Sequence, residues 1–391
     1  MSSEFVKHWT LDPALIYLNH GSFGACPTEV IAFQNELRAR MERNPEQFFM
    51  RDLETLLDAA REKLAAYLRA DPDELAFVAN ATVAVNAVVR SLDFRPGDEL
   101  LTTSHAYNAC KNVLDYVAAR TGARVVVAEV PFPLTAPDEV VDAIIAATTS
   151  KTKLALIDHV TSPTALVFPI ARIVAALRER EIDTLVDGAH APGMLDLDVA
   201  AIGAAYYTGN CHKWMCAPKG AAFLHVRTDR QKLIRPAVIS HGANATRKTR
   251  SRFRQEFDWM GTTDVSSILS VPKAIETMSA MLPSAMPGVR AHNRSLALEA
   301  RSILMSALGL SRAPAPDEMI GSMVALPLPD TDGPAATSYL DPDPLQAKLL
   351  RDLNLIVPMP QWPRHPKRLI RISAQLYNAR SDYEILARSL S

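Results

Sequence analysis

The segment LVDGAHAPGMLDLDVAAIGAAYYTGNCHK, from Leu185 to Lys213, indicates the architecture of this chain. It contains two short apolar runs that are followed at once by polar residues, which is the pattern of strands that end in loops. In open α/β sheets the ligand crevice lies at the carboxyl ends of the parallel strands. We therefore expect Asp187 and Lys213 to face the same ligand.

An acid and a lysine placed in this way suit pyridoxal 5'-phosphate. The lysine amine forms an imine with the cofactor aldehyde, and the carboxylate keeps the pyridine nitrogen protonated, which strengthens the electron sink. Other interpretations stay open, because an Asp-Gly pair is often a turn or a helix cap and most lysines are solvated. Asp187, His190 and His212 also offer metal ligands, but neither an HExxH motif nor paired cysteines accompany them.

Short apolar runs alternate with helical patterns along the first two thirds of the chain. The clearest helix has leucines at spacings of three and four residues between Leu53 and Leu68. This alternation predicts an α/β fold with a mainly parallel sheet covered on both faces. Strands are predicted at Leu75–Val78, Glu99–Thr102, Arg124–Val130, Leu154–Ile157, Thr184–Val186, Ala204–Tyr207 and Ala221–Val226.

The end of the chain has a different pattern. Helix-like runs at Ile268–Ala280 and Val289–Leu308 are followed by proline-rich loops, which predicts a smaller α+β domain. We expect an N-terminal segment over residues 1–25, a large cofactor-binding domain over 26–266 and a small C-terminal domain over 267–391.

The composition of the 391 residues favours a soluble globular protein that binds a small molecule. With 48% hydrophobic and 22% charged residues, the chain can bury a large core. A formal net charge of −1 and the lack of a long basic run argue against nucleic acid as a partner. The sequence shows neither a signal peptide nor a membrane-spanning run, so we expect a cytoplasmic protein with four reduced cysteines.

These motifs resemble those of the class V aminotransferase superfamily, and within it the isopenicillin N epimerase-like proteins. The resemblance runs from Asn19-His20-Gly21-Ser22-Phe23-Gly24 to the region of Arg371. It implies a fold type I enzyme that depends on pyridoxal 5'-phosphate and forms a homodimer. Lys213 would hold the cofactor, Asp187 would bind its pyridine nitrogen, and His190 would support its ring oxygen.

The resemblance also implies a phosphate site. Ala81 and Thr82 follow the first predicted strand of the sheet and would donate main-chain N–H groups at a helix start, as phosphate sites require. Ala81 stands where the family commonly has a threonine, so one side-chain contact is lost. Asn210 and His212 match further phosphate contacts, and Thr262 matches a turn that reaches the phosphate of the neighbouring subunit. A simple helix cap is the alternative for both turns.

Other positions match residues that contact the cofactor ring or the substrate. Tyr107 would stack on the ring, and either Tyr107 or His105 would deliver a proton to the second face of a carbanion. Ser162 or Thr161 would lie near the ring oxygen.

The resemblance implies substrate-binding residues near both ends of the chain. Arg371 would grip the substrate carboxylate by a two-pronged pair, which lysine cannot imitate. The resemblance also implies that the N-terminal segment over residues 1–25 contributes to the substrate site, where Asn19, His20 and Ser22 would shape the pocket. Surface, packing and cap roles are the alternatives for these residues. The cations of the 241–254 loop would either receive an acidic side chain or form a solvated face.

The reaction follows from the fate of the bond at Cα of an amino acid or peptide-like substrate. Return of the proton to the opposite face is epimerisation, which we take as the leading hypothesis. Loss of a β-substituent gives a C–S lyase, and protonation of the cofactor gives an aminotransferase. A cysteine desulfurase is disfavoured because residues 355–370 contain no cysteine. A noncatalytic scaffold is the alternative outside enzymes.

Overall fold

The computed structural model describes residues 3–338 and 340–390, and Met1, Ser2, Tyr339 and Ser391 lie outside this description. Within it, the strands are β1 (Ile16–Tyr17), β2 (Leu75–Val78), β3 (Glu99–Thr103), β4 (Arg124–Ala128), β5 (Thr152–Asp158), β6 (Asp183–Asp187), β7 (Tyr206–Asn210), β8 (Ala222–Val226), β9 (Met323–Leu328), β10 (Leu355–Ile356) and β11 (Arg368–Ser373).

The α-helices connect these strands and cover them. In chain order they are α1 (His20–Phe23), α2 (Thr28–Arg43), α3 (Pro45–Gln47), α4 (Leu53–Leu68), α5 (Ala81–Ser91), α6 (Asn108–Thr121), α7 (Asp138–Ala146), α8 (Ile170–Arg178), α9 (Val199–Ile202), α10 (Arg252–Asp258), α11 (Ser266–Leu269), α12 (Val271–Ala280), α13 (Ala285–Ala307), α14 (Pro344–Leu353) and α15 (Arg380–Leu390). Short 3-10 turns, such as Glu4–His8, add to them.

A seven-stranded sheet in the order β2-β8-β7-β6-β5-β3-β4 forms the centre of the molecule. Strands β3 to β7 pair in parallel, whereas β8 is antiparallel to both of its neighbours. The predicted α/β fold with a mainly parallel sheet is therefore confirmed. Each predicted strand is present: β2 has the predicted ends, and the ends of the other six differ from the prediction by at most three residues.

Burial explains why these runs become strands. Every residue of β2, β3, β7 and β8 is buried, so each strand contributes apolar side chains to helical layers on both faces. One core lies between the sheet and helices such as α4 and α8, and another lies beneath α5 and α6. The amphipathic leucine pattern between Leu53 and Leu68 is the helix α4, as predicted.

The C-terminal part of the chain has a two-stranded sheet of its own. Strands β9 and β11 form an antiparallel pair, and the long helix α13 packs on α15. The predicted helix at Ile268–Ala280 is instead two helices that meet at Ser270. Pro272 explains the interruption, because proline lacks an N–H and is tolerated only in the first turn of a new helix.

Strand β1 pairs in parallel with β10, so the N-terminal segment lies against the C-terminal part of the chain. Among the described residues, none of the helices is both long and apolar enough to cross a membrane.

Candidate active site

Three neighbouring parallel strands end in polar residues at one edge of the sheet. Asp158 ends β5, Asp187 ends β6 and Asn210 ends β7. These residues line a cavity of about 550 Å³, together with Ser22, Phe23, Asn80, Ala81, Thr82, Val83, Tyr107, Val160, Ser162, Ala189, His190, His212 and Lys213. The structure thus brings together most of the site residues that the sequence predicted.

Lys213 has an amine adapted to reaction at moderately alkaline pH. Burial, and after it the positive charge of Arg371, lowers the pKa of Lys213 to about 8, although Asp187 acts in the opposite direction. Its Nζ atom lies 3.2 Å from Nε2 of His190. A lysine with this pKa supplies a neutral amine to an aldehyde far more readily than an exposed lysine does.

His190 is neutral, and its contacts define its tautomer. The indole N–H of Trp214 donates to Nδ1 of His190 at 3.4 Å, so the ring proton belongs on Nε2, which faces the lysine. Burial, followed by the charge of Lys213, keeps the pKa of His190 well below its ordinary value. His190 therefore presents a hydrogen-bond donor to the cavity.

Asp187 is buried and held by two donors. The backbone N–H of Ala189 donates to Oδ1 at 3.0 Å, and the thiol of Cys110 donates to Oδ2 at 3.1 Å. Gly188 allows the turn after the strand, because a Cβ there would lie 2.4 Å from the hydroxyl of Tyr207. The strand end, the glycine and the two donors together fix the carboxylate at the edge of the sheet.

Sequence reasoning missed Asp158 and Cys110. Asp158 is 2% exposed and lines the cavity beside Asp187, and its Oδ1 atom has no hydrogen-bond partner within the described residues. The position of Asp158 at the end of a predicted strand was the available signal. Cys110 gave no signal, because its contact with Asp187 joins residues 77 positions apart.

The start of helix α5 forms another wall of the cavity. The Ala81 N–H donates to the side chain of Asn210 at 2.9 Å, and Asn80 caps the N–H of Val83 at the same distance. Within the described chain, the N–H of Thr82 in this turn is left without a partner. Of the two predicted main-chain donors, Thr82 is therefore available to a ligand and Ala81 is engaged.

His212 lies beside this turn. Its Nδ1–H donates to the carbonyl oxygen of Ala221 at 2.9 Å, which leaves Nε2 for a ligand. Burial, followed by the charge of Lys213, lowers the pKa of His212 to about 4. A bound phosphate would favour the protonated ring, because a nearby negative charge stabilises a cation.

Arg371 joins two distant parts of the chain at the cavity. Its Nη1 donates to the carbonyl oxygen of Ser162 at 2.7 Å, and its Nη2 donates to Ser22 at 2.8 Å and to Asn19 at 3.3 Å. The guanidinium is buried, and this burial lowers the pKa of Arg371 to about 10. Its Nε atom has no partner among the described residues, so the group retains binding capacity.

Four residues were predicted near the cofactor ring, and only some of them line the cavity. Tyr107 lines the cavity and is 44% exposed. His105 is buried, with Nδ1 on the hydroxyl of Thr164 and Nε2 on the carbonyl oxygen of Val130. Thr161 likewise bonds Thr164 and the backbone of the same turn. Of the predicted alternatives, the structure therefore places Tyr107 and Ser162, but neither His105 nor Thr161, in the cavity.

Two of the predicted site residues, His20 and Thr262, lie away from this cavity. His20 is fully buried behind Lys213, with Nε2 on the lysine carbonyl oxygen and Nδ1 on the hydroxyl of Tyr377. Thr262 is exposed on a second cavity of about 560 Å³, which shares Val83 with the first. Its predicted role concerns a neighbouring subunit.

The arginines of the 241–254 loop form ion pairs within the chain. Arg247 forms a bidentate pair with Glu54, and both Arg250 and Arg254 bind Asp58. None of the residues in this loop lines the first cavity. Among the described residues, no group of three or more His, Cys, Asp or Glu side chains is arranged to hold a metal ion.

Comparison with known proteins gives a consistent result. The sequence profile described as "Aminotransferase class-V" matches residues 16–386. Isopenicillin N epimerase of Amycolatopsis lactamdurans is 37% identical, over 97% of this chain and 96% of that protein. A probable chloroplastic L-cysteine desulfhydrase of Arabidopsis thaliana is 30% identical, over 100% of this chain and 85% of that protein.

Solved structures show the same fold. The cystine C-S lyase C-DES, in complex with its product cysteine persulfide, superposes with a TM-score of 0.77 at 20% identity and covers 96% of this chain and 97% of its own. The cysteine desulfurase CsdA from Escherichia coli has a TM-score of 0.76 at 19% identity, over 99% of this chain and 96% of that chain.

Proposed function

Because this chain belongs to the class V aminotransferase family, we propose that it acts at Cα of an amino acid or peptide-like substrate, as an epimerase. The observation that carries this proposal is the arrangement of Lys213, Tyr107 and Arg371 around one cavity. A lysine of lowered pKa and a phenol line the same space, and an arginine suited to a carboxylate borders it.

Pyridoxal 5'-phosphate is the cofactor of this enzyme. When bound, it withdraws electrons from Cα of an attached amino acid, so that a bond at this carbon can break. The cavity residues fit this group: Lys213 offers an amine of lowered pKa, and Asp187 offers a fixed carboxylate for the pyridine nitrogen. Thr82 offers an unpartnered N–H at a helix start, where a phosphate is favoured.

Residues in the cavity and at its border have separate roles in epimerisation. Arg371 orients the substrate carboxylate, and its hydrogen bonds to Ser22, Asn19 and Ser162 fix the guanidinium in place. The Lys213 amine takes the proton from Cα on one face. Tyr107 returns a proton to the other face, and its exposure gives it access to solvent for reprotonation.

A C–S lyase is the second candidate, and the near full-length match to an L-cysteine desulfhydrase favours it. Both reactions begin with removal of the Cα proton, and they differ in whether a β-substituent leaves. All four cysteines, Cys26, Cys110, Cys211 and Cys216, are buried. None is placed to accept sulfur from a substrate, which supports either reaction over that of a desulfurase.

We also propose a homodimer, in which Thr262 reaches the cofactor phosphate of the partner subunit. The exposure of Thr262 outside its own cavity supports this arrangement.

The reaction is tested by incubating the holoenzyme in D2O with L-amino acids, cysteine conjugates and isopenicillin N. Proton NMR follows the Cα signal, and chiral chromatography follows the configuration. An epimerase gives deuterium at Cα with inverted configuration and an intact side chain. Release of pyruvate or of a sulfur species would refute epimerisation and establish a β-lyase.

A further inference from the structure

We propose that Asp158 is a second carboxyl of the cofactor site, held in its protonated form, so that the pair it forms with Asp187 carries a single negative charge. This inference goes beyond the proposed function, because it concerns the charge of the site and holds whichever reaction follows. It rests on where the two side chains lie and on how many hydrogen-bond donors each of them has.

Asp158 and Asp187 are neighbours across the sheet. They are the last residues of the parallel strands β5 and β6, and they are register partners in that pair. Adjacent strands lie about 4.8 Å apart, and residues in register point to the same side. Both residues are almost fully buried, at 2% and 3% exposure, and both line the cavity. The cavity therefore has two carboxyl groups side by side.

The hydrogen bonds distinguish the two groups. Asp187 accepts from the Ala189 N–H through Oδ1 and from the Cys110 thiol through Oδ2. Asp158 has an Oδ1 atom without a partner in the described part of the chain. Within that part, its one donor is the backbone N–H of Tyr107. Because Asp187 has a donor on each oxygen and Asp158 has one donor there in all, the negative charge is better stabilised on Asp187 and the proton belongs on Asp158.

The charged groups around the pair lead to the same assignment. Burial raises the pKa of Asp158 well above its usual range, and the charge of Asp187 raises it further. The backbone N–H of Tyr107 and the charge of Lys213 act in the other direction. The pKa of the Cys110 thiol is raised by burial and then by the charge of Asp187, so that the thiol stays neutral and adds no charge to the pair.

The consequence is a site with one fixed charge and one neutral acid. Two close carboxyl groups that cannot both ionise share a proton. The O–H of Asp158 then gives the cavity a hydrogen-bond donor, which a second carboxylate cannot provide. Asp187 remains the ionised member of the pair, as the pyridine nitrogen of the cofactor requires.

Infrared difference spectroscopy of the holoenzyme at pH 7 tests this assignment without using turnover. We compare the wild-type protein with Asp158→Asn, which keeps the shape of the side chain and removes its acid. The matched control is Asp183→Asn, which removes a carboxylate at the start of β6 that pairs with Arg230. The expected result is that Asp158→Asn loses a carbonyl stretching band of a protonated carboxylic acid, whereas Asp183→Asn loses carboxylate bands.

Loss of carboxylate bands in Asp158→Asn, with the acid region unchanged, would overturn the proposal. If the asparagine variant does not fold, as judged by circular dichroism, Asp158→Ser gives the same comparison with a smaller side chain. An enzyme that fails to epimerise any substrate would refute the proposed function and leave the infrared result unaffected.

Discussion

The Nε2 atom of His20 lies 3.0 Å from the carbonyl oxygen of Lys213, so the N-terminal segment contacts the backbone of Lys213. The hydroxyl of Tyr377 donates to Nδ1 of His20 at 2.8 Å, which directs the ring proton to Nε2. Gly24 allows the N-terminal segment to approach the backbone next to Lys213. Its φ is +68°, and a Cβ there would lie 2.2 Å from the carbonyl oxygen of His212. Ser22, on the same short helix, binds Arg371.

We predict that His20→Leu weakens retention of the cofactor and that His20→Gln restores much of it. Leucine removes one of the two donors to the Lys213 carbonyl oxygen, since the Cys216 N–H remains, and it leaves the buried Tyr377 hydroxyl without its acceptor. An unsatisfied buried polar group costs about 1–3 kcal/mol. Glutamine can place an N–H near the position of Nε2. The measurements are the cofactor dissociation rate and the absorbance spectrum of the bound cofactor. Equal retention in His20→Leu and the wild type would contradict this support role.

Arg371→Lys should lower kcat/KM for a substrate with a free α-carboxylate by about 100-fold, which corresponds to about 2.7 kcal/mol at the transition state. Lysine cannot form the two-pronged pair or keep the bonds to Ser162 and Ser22 together. Steady-state kinetics checks this effect. Arg364→Lys, at an exposed arginine, is the control and should leave kcat/KM unchanged.

The lowered pKa of Lys213 predicts how cofactor uptake depends on pH. The neutral amine is the reactive form, and it predominates above a pKa of about 8 instead of the ordinary 10.5. The rate at which apoprotein binds pyridoxal 5'-phosphate should therefore rise with pH and level off above about 8. Because Arg371 contributes to the lowering, Arg371→Met should move this midpoint upward. A midpoint that stays in place or moves down would refute this effect of Arg371.

Tyr107→Phe should separate proton removal from inversion. If Tyr107 returns the proton to the second face, the variant still exchanges the Cα proton with D2O through Lys213, but it inverts the configuration at least about 10-fold more slowly. Tyr116→Phe, at an exposed tyrosine on α6, is the control. NMR exchange rates and chiral analysis of the same sample give both quantities. A parallel fall in exchange and inversion would argue against this division of roles.

The sheet and its functional edge were predictable because their signals are local. Strands β2 to β8 are short apolar runs in the sequence. Asp187 is the last residue of β6, and Lys213 lies three residues after the end of β7. The contacts of Arg371 with Ser22 and Asn19 join residues about 350 positions apart, and sequence spacing does not encode such pairs. The role of His20 could not be predicted from its motif, because the motif does not indicate that the side chain contacts the Lys213 backbone. Asp158 was overlooked because an acid after a strand also fits an ordinary turn or cap.

The most direct test of the account is to identify the lysine that holds the cofactor. The holoenzyme is reduced with sodium borohydride, digested and examined by mass spectrometry. The account predicts the mass of reduced pyridoxal phosphate on Lys213 and on no other lysine, with loss of this adduct in Lys213→Ala. Lys219→Ala, at an exposed lysine in the same loop, should leave it unchanged. A stable adduct on a different lysine, or none on Lys213, would contradict the assignment of the site.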